Sequence, residues 1–172
     1  MKKVALIISS ITLFLFAQIT MAQKGKDIVD MAVSQDDFST LVTALKAADL
    51  VGALKGDGPF TVFAPVNAGF EKIDSNTLNA LLQPENKDKL AAILTYHVVS
   101  GKLQAKDVAA ALESGGGKAT LTTLNGAKLT AMSKNGGIYL KDAHGNYSKI
   151  AQTDVMASNG VIHVIEDVVM PK

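Results

Sequence analysis

The residues best equipped for acid–base or metal chemistry are three histidines, His97, His144 and His163. No two stand at HExxH or HxH spacing, and a zinc site draws on at least three protein groups. His97 and His163 lie in apolar runs, Tyr96-His97-Val98-Val99 and Val161-Ile162-His163-Val164-Ile165, where a lone histidine is more simply a hydrogen-bonded interior residue. His144 lies in a turn and reads as solvated. No serine occupies a Gly-x-Ser-x-Gly elbow, and with no cysteine there is neither a thiolate nucleophile nor a thiolate metal ligand. Gly56-Asp57-Gly58 lacks the third glycine of a dinucleotide loop, and Gly117-Lys118 is followed by alanine with no glycine five positions earlier. Both read as turns. The chain is therefore expected to be no enzyme and to need no cofactor or metal.

The elements that would position these residues fall into two blocks. Phe38, Leu41, Val42 and Leu45 follow the i, i+3, i+4, i+7 spacing of a helix, behind acidic Asp36 and Asp37 that suit its start. Leu90, Ile93 and Leu94 repeat the stripe after Pro84 and the charged run 85–89. Shorter apolar groups at 78–82 and 108–112 predict two more helices, and the run from Pro59 to Pro65 predicts a buried strand. After Gly115-Gly116-Gly117 the pattern turns to strands at 121–124, 128–132, 138–140, 147–151 and 161–165. Their joints, Asn125-Gly126, Asn135-Gly136-Gly137, His144-Gly145-Asn146 and Asn159-Gly160, suit positive φ. The last strand is apolar on both faces and should be covered on both sides. Helices followed by hairpins imply an α+β domain in which N-terminal helices pack on a C-terminal, mostly antiparallel sheet.

Domain organisation follows from the N-terminus. Lys2 and Lys3 precede an apolar stretch, 4–19, that closes on Thr20-Met21-Ala22, the anatomy of a cleavable export signal. Residues 1–22 are read as that signal, 23–26 as a loose tail and 27–172 as one domain. The apolar stretch falls short of the ~20 residues of a spanning helix, so no integral membrane segment is expected after cleavage. Two of the 17 basic residues and none of the 16 acidic ones lie in the signal, which leaves the mature chain near −1. That balance, with no arginine, excludes bulk attraction of nucleic acid. It also predicts a partner contact that moderate salt changes little.

Three spaced stretches resemble the fasciclin-like domain family. The first runs from Gly58-Pro59-Phe60-Thr61-Val62-Phe63-Ala64-Pro65 through Asn67 to Phe70. The second is Tyr96-His97, opening Val98-Val99 with Gly101 just after, and the third runs from Asp154 to Pro171 around Asn159-Gly160-Val161-Ile162-His163. Together they cover residues 25–171 in the family's order. Val66 stands where the family usually has threonine, leaving Asn67 to cap the helix that follows. His163 shares a strand face with Val161 and Ile165 and should be buried with a partner.

The resemblance implies a secreted, extracellular or periplasmic module of cell adhesion or matrix contact, in the manner of small exported bacterial members. Its partner would be a cell-surface or matrix protein or glycan, with weak self-association supplying valency. Carried over to this chain, the contact residues are Tyr96, His97, Asp154 and Val155, while Asn67 and His163 are structural. Gln152 and Thr153 depart from the family's adhesive stretch. The local alternative is that Asp154 caps a turn and Val155 packs. A second reading is a binder of a small ligand or carbohydrate, with Tyr139 and Tyr147 as its candidate aromatics.

Overall fold

The computed structural model describes residues 25–172, so the expected export signal and the first two residues of the tail lie outside the described residues. Helix α1 (Ile28–Val33) starts on Asp27, whose carboxylate accepts the Asp30 N–H at 2.8 Å. A single 3-10 turn at Asp36–Phe38 leads into α2 (Ser39–Ala47), which buries Leu41, Val42 and Leu45 as its spacing requires. A one-turn helix α3 (Val51–Leu54) precedes strand β1 (Phe60–Pro65). Helices α4 (Asn67–Glu71), α5 (Ser75–Leu81) and α6 (Lys87–Tyr96) follow, then the short strand β2 (Val98–Ser100) and helix α7 (Ala105–Ser114). The remaining strands are β3 (Lys118–Thr122), β4 (Lys128–Lys134), β5 (Gly137–Lys141), β6 (Tyr147–Ala157) and β7 (Gly160–Ile165).

The seven strands form one sheet in the order β2-β1-β7-β6-β5-β4-β3, and β1 with β7 is its only parallel pair. The sheet curls until its two ends approach: Val99 bridges Thr123, and the Leu124 N–H donates to the Val98 carbonyl at 2.7 Å. β7 lies between β1 and β6 and is buried along its whole length, which explains its unbroken apolar sequence.

Alternation along β1 and β7 divides the interior into two cores. Val62, Ala64, Ile162 and Val164 face the helical layer and pack with Leu41, Leu45 and Leu94. Phe63 and Ile165 point the other way, into the curl of the sheet, where Leu129, Ala131 and Leu140 meet Val108 and Leu112 of α7. The two strands thus form a wall between the cores, the arrangement an α+β chain needs to cover both faces of a central sheet.

Three local expectations are revised. β3 begins at Lys118, directly after the glycine run, while Thr123 and Leu124 belong to the turn. That turn is held by Asn125, whose Oδ1 accepts the Ala127 N–H at 3.0 Å and the Thr123 hydroxyl at 2.6 Å. β6 runs six residues past the expected end, to Ala157, because irregularities between Ile150 and Val155 let it bend and stay paired with β7. Asn159 and Gly160 do not adopt positive φ. Asn159 instead accepts the Ile28 N–H at 3.0 Å and donates to the Leu54 and Gly56 carbonyls at 2.7 and 3.0 Å. Gly160 is required for close approach, since a Cβ there would collide with the Phe60 carbonyl of the parallel neighbour.

Candidate functional site

The bulge in β6 brings together two of the residues singled out in the sequence. Asp154 holds φ at +60°, a left-handed value that asparagine and aspartate tolerate best among residues with a side chain. Its Oδ1 accepts the N–H of Ala105, the first residue of α7, at 2.9 Å. The same helix start is closed by Asp107, whose Oδ2 accepts the Gln104 N–H at 2.9 Å. Asp154 therefore caps a helix 49 residues away in sequence, not a local turn. Val155 packs half-buried on the helical core, and Met156 beyond it is 43% exposed. Gln152 and Thr153 are exposed, so residues 152–156 form a surface ridge anchored from below.

The anchor is His163, 1% exposed and stacked on Phe63, its register partner in β1, with ring centroids 5.6 Å apart and planes 26° from parallel. Nε2 lies 2.7 Å from the Leu103 carbonyl, and a carbonyl can only accept, so the ring carries its proton on Nε2. That leaves Nδ1 as the acceptor of the Asp154 N–H at 3.4 Å. One imidazole thus joins β7, the β6 bulge and the loop that enters α7.

Tyr96 and His97 do not reach this ridge. Tyr96 is fully buried in the second core, and its hydroxyl donates to the Lys128 carbonyl at 2.8 Å. Burial, followed by the Asp142 charge, pushes its phenol above the ordinary range. His97, 2% exposed, lies within 2.8 Å of the Ile93 carbonyl through Nδ1 and accepts the Val169 N–H at Nε2 across 3.1 Å. This is the opposite tautomer to His163. Desolvation drives the His97 pKa down to about 4. The expectation that this pair meets a partner directly is corrected, because the end of α6 turns both side chains inward, where each ties a helix to another element.

Asn67 also acts differently from its expected role. It is the first residue of α4, with Val66 at the cap position, and its side chain reaches across to the start of α2. Oδ1 accepts the Thr40 N–H at 3.0 Å, and Nδ2 donates to the Asp36 carbonyl and the Ser39 hydroxyl at 2.8 and 3.0 Å. Sequence reasoning missed Asp142 altogether. It is 6% exposed and accepts N–H groups from His144, Asn146 and Met170 at 2.9, 2.8 and 3.2 Å. The Asp142-Ala143-His144-Gly145 string, an aspartate two residues before a turn residue, was the available signal.

Among the described residues no three histidine or acidic side chains cluster as a metal site would require, and no helix is long and apolar enough to cross a membrane. The cavity between α1, α2 and β1 is apolar and about 20 Å³, room for a single water-sized group.

A curled sheet with one parallel pair, covered on one face by helices and closed on the other by α7, defines a known class of domain. The fasciclin domain family matches residues 36–171, and the chain belongs to that family. It is similar to protein sll1483 of Synechocystis sp., with 49% identity over 144 residues that cover 84% of this chain and 73% of that one. It is also similar to the transforming growth factor-beta-induced protein ig-h3 of Sus scrofa, at 35% identity over 84% of this chain but only 19% of that longer protein. Among solved structures, a FAS1 domain pair from the insect cell adhesion molecule fasciclin I superposes with a TM-score of 0.74 at 19% identity. The match covers 83% of this chain and half of that one, which shows the same fold in a single copy.

Proposed function

We propose that the mature chain is an exported, non-enzymatic interaction module that makes weak contacts with a cell-surface or matrix protein or glycan. The observation that carries this reading is the ridge at 152–156, a bulge that is solvent-facing yet held on its inner side by His163 and α7. Bulges that present side chains from a rigid support are common at functional edges of sheets. Membership of the fasciclin family supports the reading, and so does the adhesion molecule that shares the fold. In it, Asp154, Val155 and Met156 meet the partner, while Tyr96 ties α6 to β4 and His97 ties it to Val169 beneath the surface.

One such domain offers one binding face, so firm attachment through it would depend on clustering or on weak self-association. The test is retention of cells or matrix by the mature domain immobilised at several densities. Retention that rises steeply with density is expected. Absence of retention even at dense coverage would overturn the reading.

A further inference from the structure

The near-neutral total charge is the sum of two unequal parts. Residues 115–151 carry Lys118, Lys128, Lys134, Lys141 and Lys149 against one carboxylate, Asp142. The sheet register puts all five lysines on one side. Lys118 stands opposite Met132, Lys128 opposite Thr122, Lys141 opposite both Thr130 and Tyr147, and Lys149 opposite Tyr139. Lys134 is in step with Lys128 along β4, and directly opposed residues project from the same face. The other face holds Ala119, Leu129, Ala131 and Leu140 in the core. The outer face of β3–β6 is therefore a lysine, threonine and tyrosine surface about 15 Å across four strands.

Carboxylates do little to neutralise it. Asp142 is buried and its oxygens are taken up by the N–H groups of its own turn and of Met170. Of the five lysines only Lys149 has an acidic neighbour among the described residues, Glu166 at 4.0 Å. Lys134 and Lys141 rest their ammonium groups 4.9 and 5.8 Å from the ring centre of Tyr147, which is 42% exposed. At one end the face opens into a cleft of about 590 Å³ edged by Lys128, Thr130, Lys141 and His144. Five like charges on one face with a single ion pair among them create a local positive field that the total charge conceals.

We propose that this face binds an anionic polysaccharide, with carboxylate or sulfate groups on the lysines and a sugar ring against Tyr147. A face four strands wide suits repeated charges along an extended chain. The exposed tyrosine, already drawing cations to its ring, offers a platform for the apolar side of a sugar. The proposal rests on the interaction-module reading and adds to the ridge at 152–156 a second contact surface with its own ligand class.

The experiment measures binding of the mature chain to alginate, to heparin, to neutral dextran, to duplex DNA and to vesicles of phosphatidylglycerol, each at about 50 mM and about 300 mM salt, since screening shortens the reach of exposed charges. Both anionic glycans should retain the chain at low salt and release it at high salt, the reverse of the salt-insensitive contact that total charge alone predicts, and dextran should not retain it. The K134Q/K141Q/K149Q variant should bind at least about ten-fold more weakly, as expected when several neighbouring charges are lost, with unchanged circular dichroism. A K46Q/K102Q control, with exposed lysines outside this face, should bind like the parent. Equal retention on dextran, equal binding by the triple variant, or tighter binding to DNA or vesicles than to either glycan would each overturn the proposal. If the triple variant binds both glycans like the parent while cells retain the parent, this surface fails and the module reading stands; if cells retain no form of the domain and neither glycan binds, both fail.

Discussion

The side chain of Asn67 caps a helix to which it does not belong. Its Oδ1 takes the N–H of Thr40, 27 residues earlier, while its Nδ2 holds the Asp36 carbonyl and the Ser39 hydroxyl. The asparagine between β1 and α4 thereby fixes where α2 starts. Asn67→Ala, which orphans all three groups, should destabilise the domain by about 1–3 kcal/mol. Asn67→Asp keeps the acceptor and should cost less. Denaturant midpoints of the three proteins decide it, and an unchanged midpoint for the alanine variant would remove the staple from the account.

His97 should make stability pH-dependent. Its folded pKa of about 4 lies below the ordinary 6.5, so the unfolded chain binds a proton as pH falls through 6.5 and the folded chain does not until about pH 4. The unfolded state therefore holds more protons across that window. The contribution is complete above pH 6.5, declines as pH falls, and is gone near pH 4, a loss approaching about 3 kcal/mol. His97→Gln should be less stable at neutral pH and show a shallower decline. Parallel pH profiles for parent and variant would mean that proton uptake at this ring does not contribute.

His163 supports the ridge through packing and through one donated hydrogen bond. His163→Ala should cost about 1–3 kcal/mol by removing the stack on Phe63 and leaving the Leu103 carbonyl without its donor. His163→Phe should recover part of this, since it restores the ring but not the donor. Hydrogen exchange at the Asp154 amide should quicken in both variants. Unaltered thermal stability of the alanine variant would contradict the burial of this ring.

Asp154 combines a helix cap with a left-handed backbone, and substitutions separate the two. Asp154→Asn should be nearly neutral, because it keeps an acceptor and tolerates positive φ. Asp154→Ala should cost about 1–2 kcal/mol from the lost cap, with backbone strain added. Asp154→Gly loses the cap alone and should fall between them. If alanine and glycine were equally destabilising, the positive φ would carry no cost; if the alanine variant folded normally and still retained cells, Asp154 would have no part in contact.

Much of the fold was legible because the chain writes its burial into periodicity. The stripe Phe38, Leu41, Val42 and Leu45 became the 3-10 turn and α2, and the two-faced apolar run at Val161 to Ile165 became the doubly covered β7. Hydrogen bonds made by side chains across long separations leave no such period. The long reach of Asn67 to Thr40, of Asn159 to Ile28 and of Asp154 to Ala105 could not be read from neighbours, and in each case a residue type suited to local turns was used remotely. The family resemblance marked Tyr96-His97 for contact, whereas the apolar run around His97 read as interior, and the inward turn at the end of α6 encloses both side chains.

By itself the sequence determined the α+β class, most of the helices and strands and the absence of cysteine and arginine, since each depends on composition or on spacing along one element. Tertiary structure decided which charges stand together. A total near neutrality holds no information about position, whereas antiparallel pairing at about 4.8 Å between strands gathers Lys118, Lys128, Lys134, Lys141 and Lys149 on one face and turns Asp142, the one carboxylate of residues 115–151, inward. A sum over residues cannot anticipate that separation, because register, not composition, sets the distance between charges, and distance sets the field.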